Sequence, residues 1–487
     1  MDGSVIMHTL LTALQGFIRM DLYSLDGYKY SHYLMDDENL EYKSFYIEAR
    51  TKDMDVLMFG FQRLIKELEW LNFEYNEKYD GGFFKAYGAP INVEGLLELE
   101  HEYLHVPLRI QVLREGTVTR TGIPLLQITN TDPKYAWLAG MFEDFLLNGW
   151  AACSVATQSY YAKKMIKEHM ERTCDNLDKL PFMLNDFGMR ACQSIQTAAI
   201  LGSGHLVNFM GSDNTAAGQL VQEEYDTHNV YCATIPASEH SIMTLSGREG
   251  ESKFVQGLLR KFIDDVIPGP MMALVIDSYD DENFVKNIIF KDCVDLLKEI
   301  KDKGKCLILR PDSGDPTTKV IDVLNWIMEC IPEEIVVNSK GYMSLPAHIS
   351  TIQGDGISIL TGGKTLQELL YNLDISEWST DSTCFGSGGA LLNGCNRDTF
   401  GFAYKLSAVK YKGDTKWKGV GKETVGKVSK KGRLAVVLGD NGEHQCIPEE
   451  ELGDRENQLV DIYNNGVIDD QMASFDDVIK RSNGEIE

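Results

Sequence analysis

Apolar positions along this chain recur with two different periods, and the change of period divides it into three stretches. Over residues 1 to about 155, a helical pattern at Val56–Trp70 sits beside alternating segments, Leu108–Leu113 and Pro124–Thr129, that predict half-buried strands. Between about Thr157 and Asn396, short apolar runs alternate with longer amphipathic patterns. The runs Leu206–Phe209, Met272–Ile276, Cys306–Leu309 and Glu334–Val337 read as strands. Helices are predicted at Thr215–Tyr225, Lys253–Asp264, Glu282–Lys301, Thr317–Cys330 and Thr365–Leu373; in the fourth, Val320, Val323, Leu324 and Ile327 share one face. The last stretch opens on the alternating run Phe402–Tyr411. It then crosses a Gly- and Lys-rich loop, Lys410–Arg433, and offers one more strand at Leu434–Leu438.

Regular alternation of strand and helix marks βα units around a parallel sheet. The expected fold is therefore α/β, with an incomplete (β/α) barrel-like domain over 156–399. A mixed α+β domain would be built from both chain ends, 1–155 with 400–487. Polar and glycine clusters close the strand candidates in sequence: Asp186-Phe187-Gly188-Met189-Arg190, Gly211-Ser212-Asp213, Glu239-His240-Ser241 and Asp277-Ser278-Tyr279-Asp280. Three more follow, Arg310-Pro311-Asp312-Ser313-Gly314, Gln353-Gly354-Asp355-Gly356 and Phe385-Gly386-Ser387-Gly388-Gly389. In a barrel the carboxyl ends of the strands converge on one rim, which carries the active site.

Composition narrows the partners. The chain has 487 residues, 43% hydrophobic and 25% charged, as a globular protein does, and is long enough for two or three domains. A net charge of −26 speaks against coating nucleic acid but not against a small anionic substrate held by a few local cations. No apolar run reaches the roughly 20 residues that span a bilayer, and Asp2 stands where a secretory signal carries basic charge. The ten cysteines, spread from Cys153 to Cys446 without a CxxC pair, fit reduced thiols in a cytoplasm.

The clusters suggest chemistry of different kinds. Gly386–Gly389 and Gly354-Asp355-Gly356 would expose backbone N–H groups to a phosphate, although either alone also reads as a plain turn. Arg310 with Asp312 pairs a cation for an anionic group with a carboxylate able to hold ribose hydroxyls, or else simply closes a loop. His240, between Glu239 and Ser241, offers a nucleophile, a proton carrier or a structural histidine. The basic group Lys427, Lys430, Lys431 and Arg433 reads either as a solvated loop or as a mobile loop over phosphates. His101-Glu102-Tyr103-Leu104-His105 matches the HExxH zinc signature, but Pro107 would end the helix that signature needs, and no third ligand follows.

Taken together these stretches, with Asp26-Gly27-Tyr28-Lys29, Asn130-Thr131-Asp132-Pro133, Asn338-Ser339-Lys340-Gly341-Tyr342 and Ser429-Lys430-Lys431-Gly432-Arg433, resemble the nicotinamide phosphoribosyltransferase family. The likeness runs from about Asp26 to the carboxyl end. It implies a homodimer of the type II phosphoribosyltransferase fold with active sites shared between subunits. By that likeness Phe187 and the Tyr28 of a partner chain sandwich a pyridine ring near Arg310 and Arg190, and Asp213 accepts the carboxamide NH2. Asp312, Gly354 and Asp355 would hold the ribose, and Gly388 and Gly389 the 5′-phosphate.

The same resemblance makes His240 a histidine phosphorylated by ATP, with Glu239 and Asp280 around it. Arg50, Arg397, Lys405 and Lys422 match residues that reach pyrophosphate or ATP phosphates. Mg²⁺ is expected on the pyrophosphate rather than in a protein cage of its own. Asn185 stands where relatives carry His, Thr234 and Ile276 where they carry serine, and the loop Lys410–Val428 is shortened. A nicotinate phosphoribosyltransferase and a non-catalytic binding protein on the same scaffold are the competing readings; the presence of His240, Asp213, Arg310 and Asp312 weighs against the second.

Overall fold

The computed structural model describes residues 23–68, 75–102, 105–363, 365–424, 428–468 and 472–486. Met1–Leu14, the end of the Val56–Trp70 pattern, Tyr103-Leu104 and Lys427 lie outside them. The chain divides into two compact units, Met1–Thr157 with Asn396–Glu487, and Gln158–Cys395.

The first unit is built on a seven-stranded antiparallel sheet in the order Lys418–Gly419, Ala403–Tyr411, Leu40–Glu48, Pro124–Asn130, Leu108–Val112, Val460–Asn464, Val467–Ile468. Pro124–Asn130 is buried along its whole length, as a central strand must be. Its one long polar side chain is fully satisfied: Gln127 Nε2 donates to Gln111 Oε1 and to the Leu434 carbonyl, both at 3.1 Å. The Val56–Trp70 expectation is corrected here. Asp55–Leu57 is a short strand paired with Val118–Arg120, and the helix is only Phe61–Glu67, entered through Gly60 at φ 85°.

The second unit carries five parallel strands: β1 (Leu184–Asp186), β2 (Met271–Val275), β3 (Cys306–Arg310), β4 (Ile349–Gln353) and β5 (Thr383–Ser387), in the order β1-β5-β4-β3-β2. Helices Gly247–Ile263, Val294–Asp302 and Lys319–Cys330 cover the outer face, burying Val255, Leu259, Phe262, Leu297, Val323 and Ile327 against Leu274, Leu307 and Leu309. Beyond β1 and β2, parallel bridges run Asp186↔Ser212, Gly211↔Ala233 and Ala237↔Ala273, so backbone hydrogen bonds continue from one edge strand to the other.

Three element assignments change. Leu206–Phe209 is not a strand: Leu206 closes the helix Ile195–Leu206, whose residues from Leu201 onward are all buried, so that no polar face marks it as helical. Glu334–Val337 contributes only Val336–Val337, an exposed strand pairing with Met343–Ser344 in a hairpin outside the parallel sheet. The Glu282–Lys301 pattern is three consecutive pieces, with a π-helical stretch Phe284–Asp292 before Val294–Asp302.

Candidate active site

The carboxyl ends of β1, β3, β4 and β5 carry Phe187, Arg310 with Asp312, Gly354 with Asp355, and Gly388 with Gly389, all singled out by sequence. A cavity of about 300 Å³ lies in this unit, and its walls include Phe187, Asp213, Thr234, Ala273, Arg310 and Cys384. The Arg310 guanidinium carbon stands 4.8 Å from the centre of the Phe187 ring, while Nη2 donates to Asp312 Oδ1 at 3.0 Å. Arg310 Nε is buried without a partner, a donor available to a bound group.

Two glycines permit this packing by their lack of a side chain rather than by unusual backbone angles. A Cβ at Gly354 would come within 2.6 Å of both Arg310 Nε and Asp312 Oδ1. A Cβ at Gly386 would strike the Phe187 ring and approach the Gly354 carbonyl to 2.7 Å. Gly388 precedes the short helix Gly389–Asn393, and a Cβ there would be 3.6 Å from Asp355 Oδ1. Gly354 and Asp355 of one predicted cluster therefore meet Gly386 and Gly388 of the other.

Asp213 accepts a hydrogen bond from Thr234 Oγ1 through Oδ1. Its backbone N–H donates to the Asp186 carbonyl at 3.0 Å, and Asn214 caps the helix Thr215–Glu224 immediately after it. Arg190 is largely exposed, 3.9 Å from the Glu239 carboxylate.

His240 begins the short helix His240–Met243 and is half exposed. Its Nε2 lies 3.1 Å from Asp277 Oδ1, and Asp277 is itself almost wholly buried. The other oxygen of Asp277 accepts Asp312 N–H at 3.1 Å, Ser313 N–H at 2.6 Å and the Ser313 hydroxyl. Burial alone would raise this carboxyl, yet the donors from Ser313 and Asp312, with His240 beside it, hold it below the usual carboxylate range. Asp277, rather than Asp280, is thus the carboxylate in contact with His240; in the sequence it shows only as the opening residue of the Asp277-Ser278-Tyr279-Asp280 cluster. Asp280 caps the next helix through Asn283 N–H (2.9 Å) and faces Arg248 at 3.8 Å. Glu239 accepts the Ser241 hydroxyl.

The first unit holds a separate cationic group. The Lys405 ammonium is pushed down, chiefly by burial and then by Arg50, with Lys422 and Arg397 adding to the effect. Tyr28 is 60% exposed in this unit, its ring 5.5 Å from Lys29 Nζ. By contrast Lys430 pairs with buried Glu48, Lys431 with Glu423, and Arg433 is buried against Glu449 at 2.8 Å. Arg433 is thus a buried structural cation, Lys430 is tied to the buried Glu48, and only Lys431 sits in an exposed surface pair. The HExxH match also dissolves: the helix Val93–Glu102 ends before His105. Among the described residues, no three His, Cys, Asp or Glu side chains are grouped to hold a metal.

Residues 182–466 match the nicotinate phosphoribosyltransferase (NAPRTase) family model. A nicotinamide phosphoribosyltransferase of Xanthomonas campestris is 35% identical over 457 residues, covering 91% of this chain and 94% of that protein. One from Mycoplasma pneumoniae is 33% identical over 341 residues, 67% of this chain and 69% of the relative. Among solved structures, a nicotinate-nucleotide pyrophosphorylase from Pyrococcus furiosus superimposes with a TM-score of 0.59 at 14% identity, covering 94% of this chain and 92% of that one. Human nicotinic acid phosphoribosyltransferase gives 0.55 at 15% identity, covering 94% and 93%. The two structures share the mixed α/β fold, and the family match with the long sequence relatives gives the lineage: this chain belongs to the nicotinate phosphoribosyltransferase family.

Proposed function

We propose that the protein joins nicotinamide to the phosphoribosyl group of 5-phosphoribosyl 1-pyrophosphate, forming nicotinamide mononucleotide and pyrophosphate in NAD salvage. The observation that carries this reading is Asp213 on the cavity wall with Phe187 and Arg310. A carboxylate welcomes a carboxamide NH2 and repels the carboxylate of nicotinate. The relatives named nicotinamide phosphoribosyltransferase support the same choice.

In the reaction the pyridine nitrogen forms a bond to ribose C1′ while the bond from C1′ to the pyrophosphate oxygen breaks. The pyrophosphate leaves with the electron pair, and no proton need move. Positioning and charge neutralisation therefore do most of the work. Phe187 and a partner's Tyr28 stack the ring; Asp312, Gly354 and Asp355 hold the ribose; Gly388 and Gly389 receive the 5′-phosphate. Arg50, Arg397, Lys405 and Lys422 neutralise pyrophosphate or ATP phosphates. Mg²⁺ would be held by pyrophosphate oxygens rather than by a protein cage and would add to the neutralisation of the leaving group. The nearby carboxylates suit that arrangement, because Asp312 and Asp277 are already engaged by Arg310, His240 and Ser313.

ATP acts as an activating co-substrate through His240. With Nε2 turned to Asp277, Nδ1 is the nitrogen free to attack the γ-phosphorus, releasing ADP. The (β/α) unit closes as an incomplete barrel through the bridges beyond β1 and β2, a homodimer shares its sites, and the enzyme works in the cytoplasm, where the ten free cysteines stay reduced. Among the described residues no helix is long and apolar enough to cross a membrane. Purified protein given nicotinamide, phosphoribosyl pyrophosphate and Mg²⁺ should form the mononucleotide; no product with either pyridine base would refute the reading.

A further inference from the structure

Asp186 lies wholly buried at the end of β1, between the two groups assigned to the pyridine carboxamide. Its Oδ1 accepts the Gly188 N–H at 2.7 Å, which closes the turn carrying Phe187. Its Oδ2 accepts Asn214 Nδ2 at 3.1 Å, and its backbone carbonyl accepts the Asp213 N–H at 3.0 Å. One residue therefore fixes both the Phe187 turn and the Asp213 segment. The surroundings leave little slack: a Cβ at Gly202 would sit 3.1 Å from Asp186 Oδ2, and one at Gly188 would sit 2.8 Å from the Gly388 carbonyl.

We infer that Asp186 is a positioning residue which sets the spacing between the Phe187 ring and the Asp213 carboxylate, and through it the fit of a neutral pyridine carboxamide. This rests on the reading of Phe187 and Asp213 given above. Both side-chain neighbours are donors, one on each oxygen, so the ionised carboxylate accepts strongly from both and a protonated one holds the donor at its hydroxyl oxygen only weakly. Burial, assisted by the Asp213 charge, raises the Asp186 carboxyl to about 6 against the opposing pull of Gly188 and Asn214. The other titratable groups close by are the Cys192 thiol and His205, the latter hydrogen-bonded to the Gly211 carbonyl. Proton uptake near pH 6 should thus loosen the carboxamide grip while the sugar side of the site, on other strands, keeps its geometry.

The test measures KM for each substrate from about pH 5.5 to 7.5 in the wild type, Asp186→Asn and Asp213→Ala. Asp186→Asn must turn an NH2 toward one of two donors. It should raise KM for nicotinamide about tenfold or more, with KM for phosphoribosyl pyrophosphate changed less than about twofold. In the wild type, KM for nicotinamide should climb as the pH falls through about 6, and this inflection should be absent from Asp186→Asn. A residue that served stability alone would lower Tm without separating the two KM values or removing an inflection. If Asp186→Asn does not fold, the wild-type series decides, and a KM for nicotinamide flat across that range overturns the proposal. Normal nicotinamide KM in folded Asp186→Asn, with binding lost in Asp213→Ala, overturns the positioning role alone. Normal nicotinamide KM in Asp213→Ala removes both the role and the pocket reading beneath it.

Discussion

Asp277 joins two parts of the site: one carboxylate oxygen faces His240 Nε2 at 3.1 Å, and the other takes the backbone N–H groups of Asp312 and Ser313. The histidine proposed to carry phosphate and the loop proposed to hold ribose therefore share one buried anion. A change of charge on His240 is felt at Asp277 first and at the Asp312 loop next.

From this follows a prediction for ATP coupling. His240→Ala should stay folded and dimeric, lose ATP hydrolysis and lose most of the ATP stimulation. Basal transfer without ATP should persist weakly, because Phe187, Asp213, Arg310 and Asp312 still position the reactants. An acid-labile phosphate should label the wild type and not the variant. Full stimulation in His240→Ala would remove the histidine from the coupling step.

Gly386→Ala should disturb the ring site through sterics alone. The new methyl meets the Phe187 ring and the Gly354 carbonyl, 2.7 Å away, and the backbone carbonyl cannot step aside cheaply. A loss of about 1–3 kcal/mol is expected in denaturant unfolding, with KM for nicotinamide raised. An unchanged unfolding midpoint would show that the turn has room not seen in the structure.

Shared active sites predict complementation. Tyr28→Ala and Asp213→Ala, each strongly impaired alone, should regain activity when mixed and allowed to exchange subunits, since some mixed dimers carry one site with both residues intact. Exchange demonstrated by mass spectrometry without any gain over the parents would place a complete site in each chain.

His205 governs part of the acid stability. It is wholly buried, its Nδ1 3.0 Å from Ser159 Oγ and its Nε2 3.1 Å from the Gly211 carbonyl, and burial pushes it down to about 4. The unfolded chain takes up this proton near the ordinary histidine value and the folded chain does not. Stability is therefore lost as the pH falls from about 6.5 towards about 4, by roughly 3 kcal/mol in all. Asp186 acts in the opposite sense, because its raised carboxyl favours the folded state as protons are added. The check is the difference between wild type and His205→Gln in urea unfolding across that range; parallel curves would contradict it.

How much of this could be read from the chain depended on which force set each element. β2 is buried from Met272 to Val275, and β3 is apolar on both faces because Leu307 and Leu309 enter the core while Ile308 lines the cavity, so Met272–Ile276 and Cys306–Leu309 stood out as apolar blocks. β4 was hidden because Ser350, Thr351 and Gln353 interrupt it; Thr351 lines the cavity and Gln353 donates to the Asp355 carbonyl at 3.0 Å. Leu206–Phe209 misled because a helix end buried on all sides has no period to detect. The glycine and acidic clusters were legible since close approach and charge are local demands on residue type. The His240–Asp277 contact and the pairing of Lys430 with Glu48 were not, because each joins residues far apart in sequence.

The central claim is that Asp213 selects the neutral base. The most direct measurement is kcat/KM for nicotinamide and for nicotinate with the wild type and Asp213→Asn at neutral pH, each at saturating phosphoribosyl pyrophosphate. The wild type should prefer nicotinamide by about a hundredfold or more, as expected when two carboxylates face one another in a confined site. Asp213→Asn should lose nicotinamide turnover and narrow the gap. Comparable wild-type values for the two bases, or an unchanged preference in Asp213→Asn, would contradict the claim.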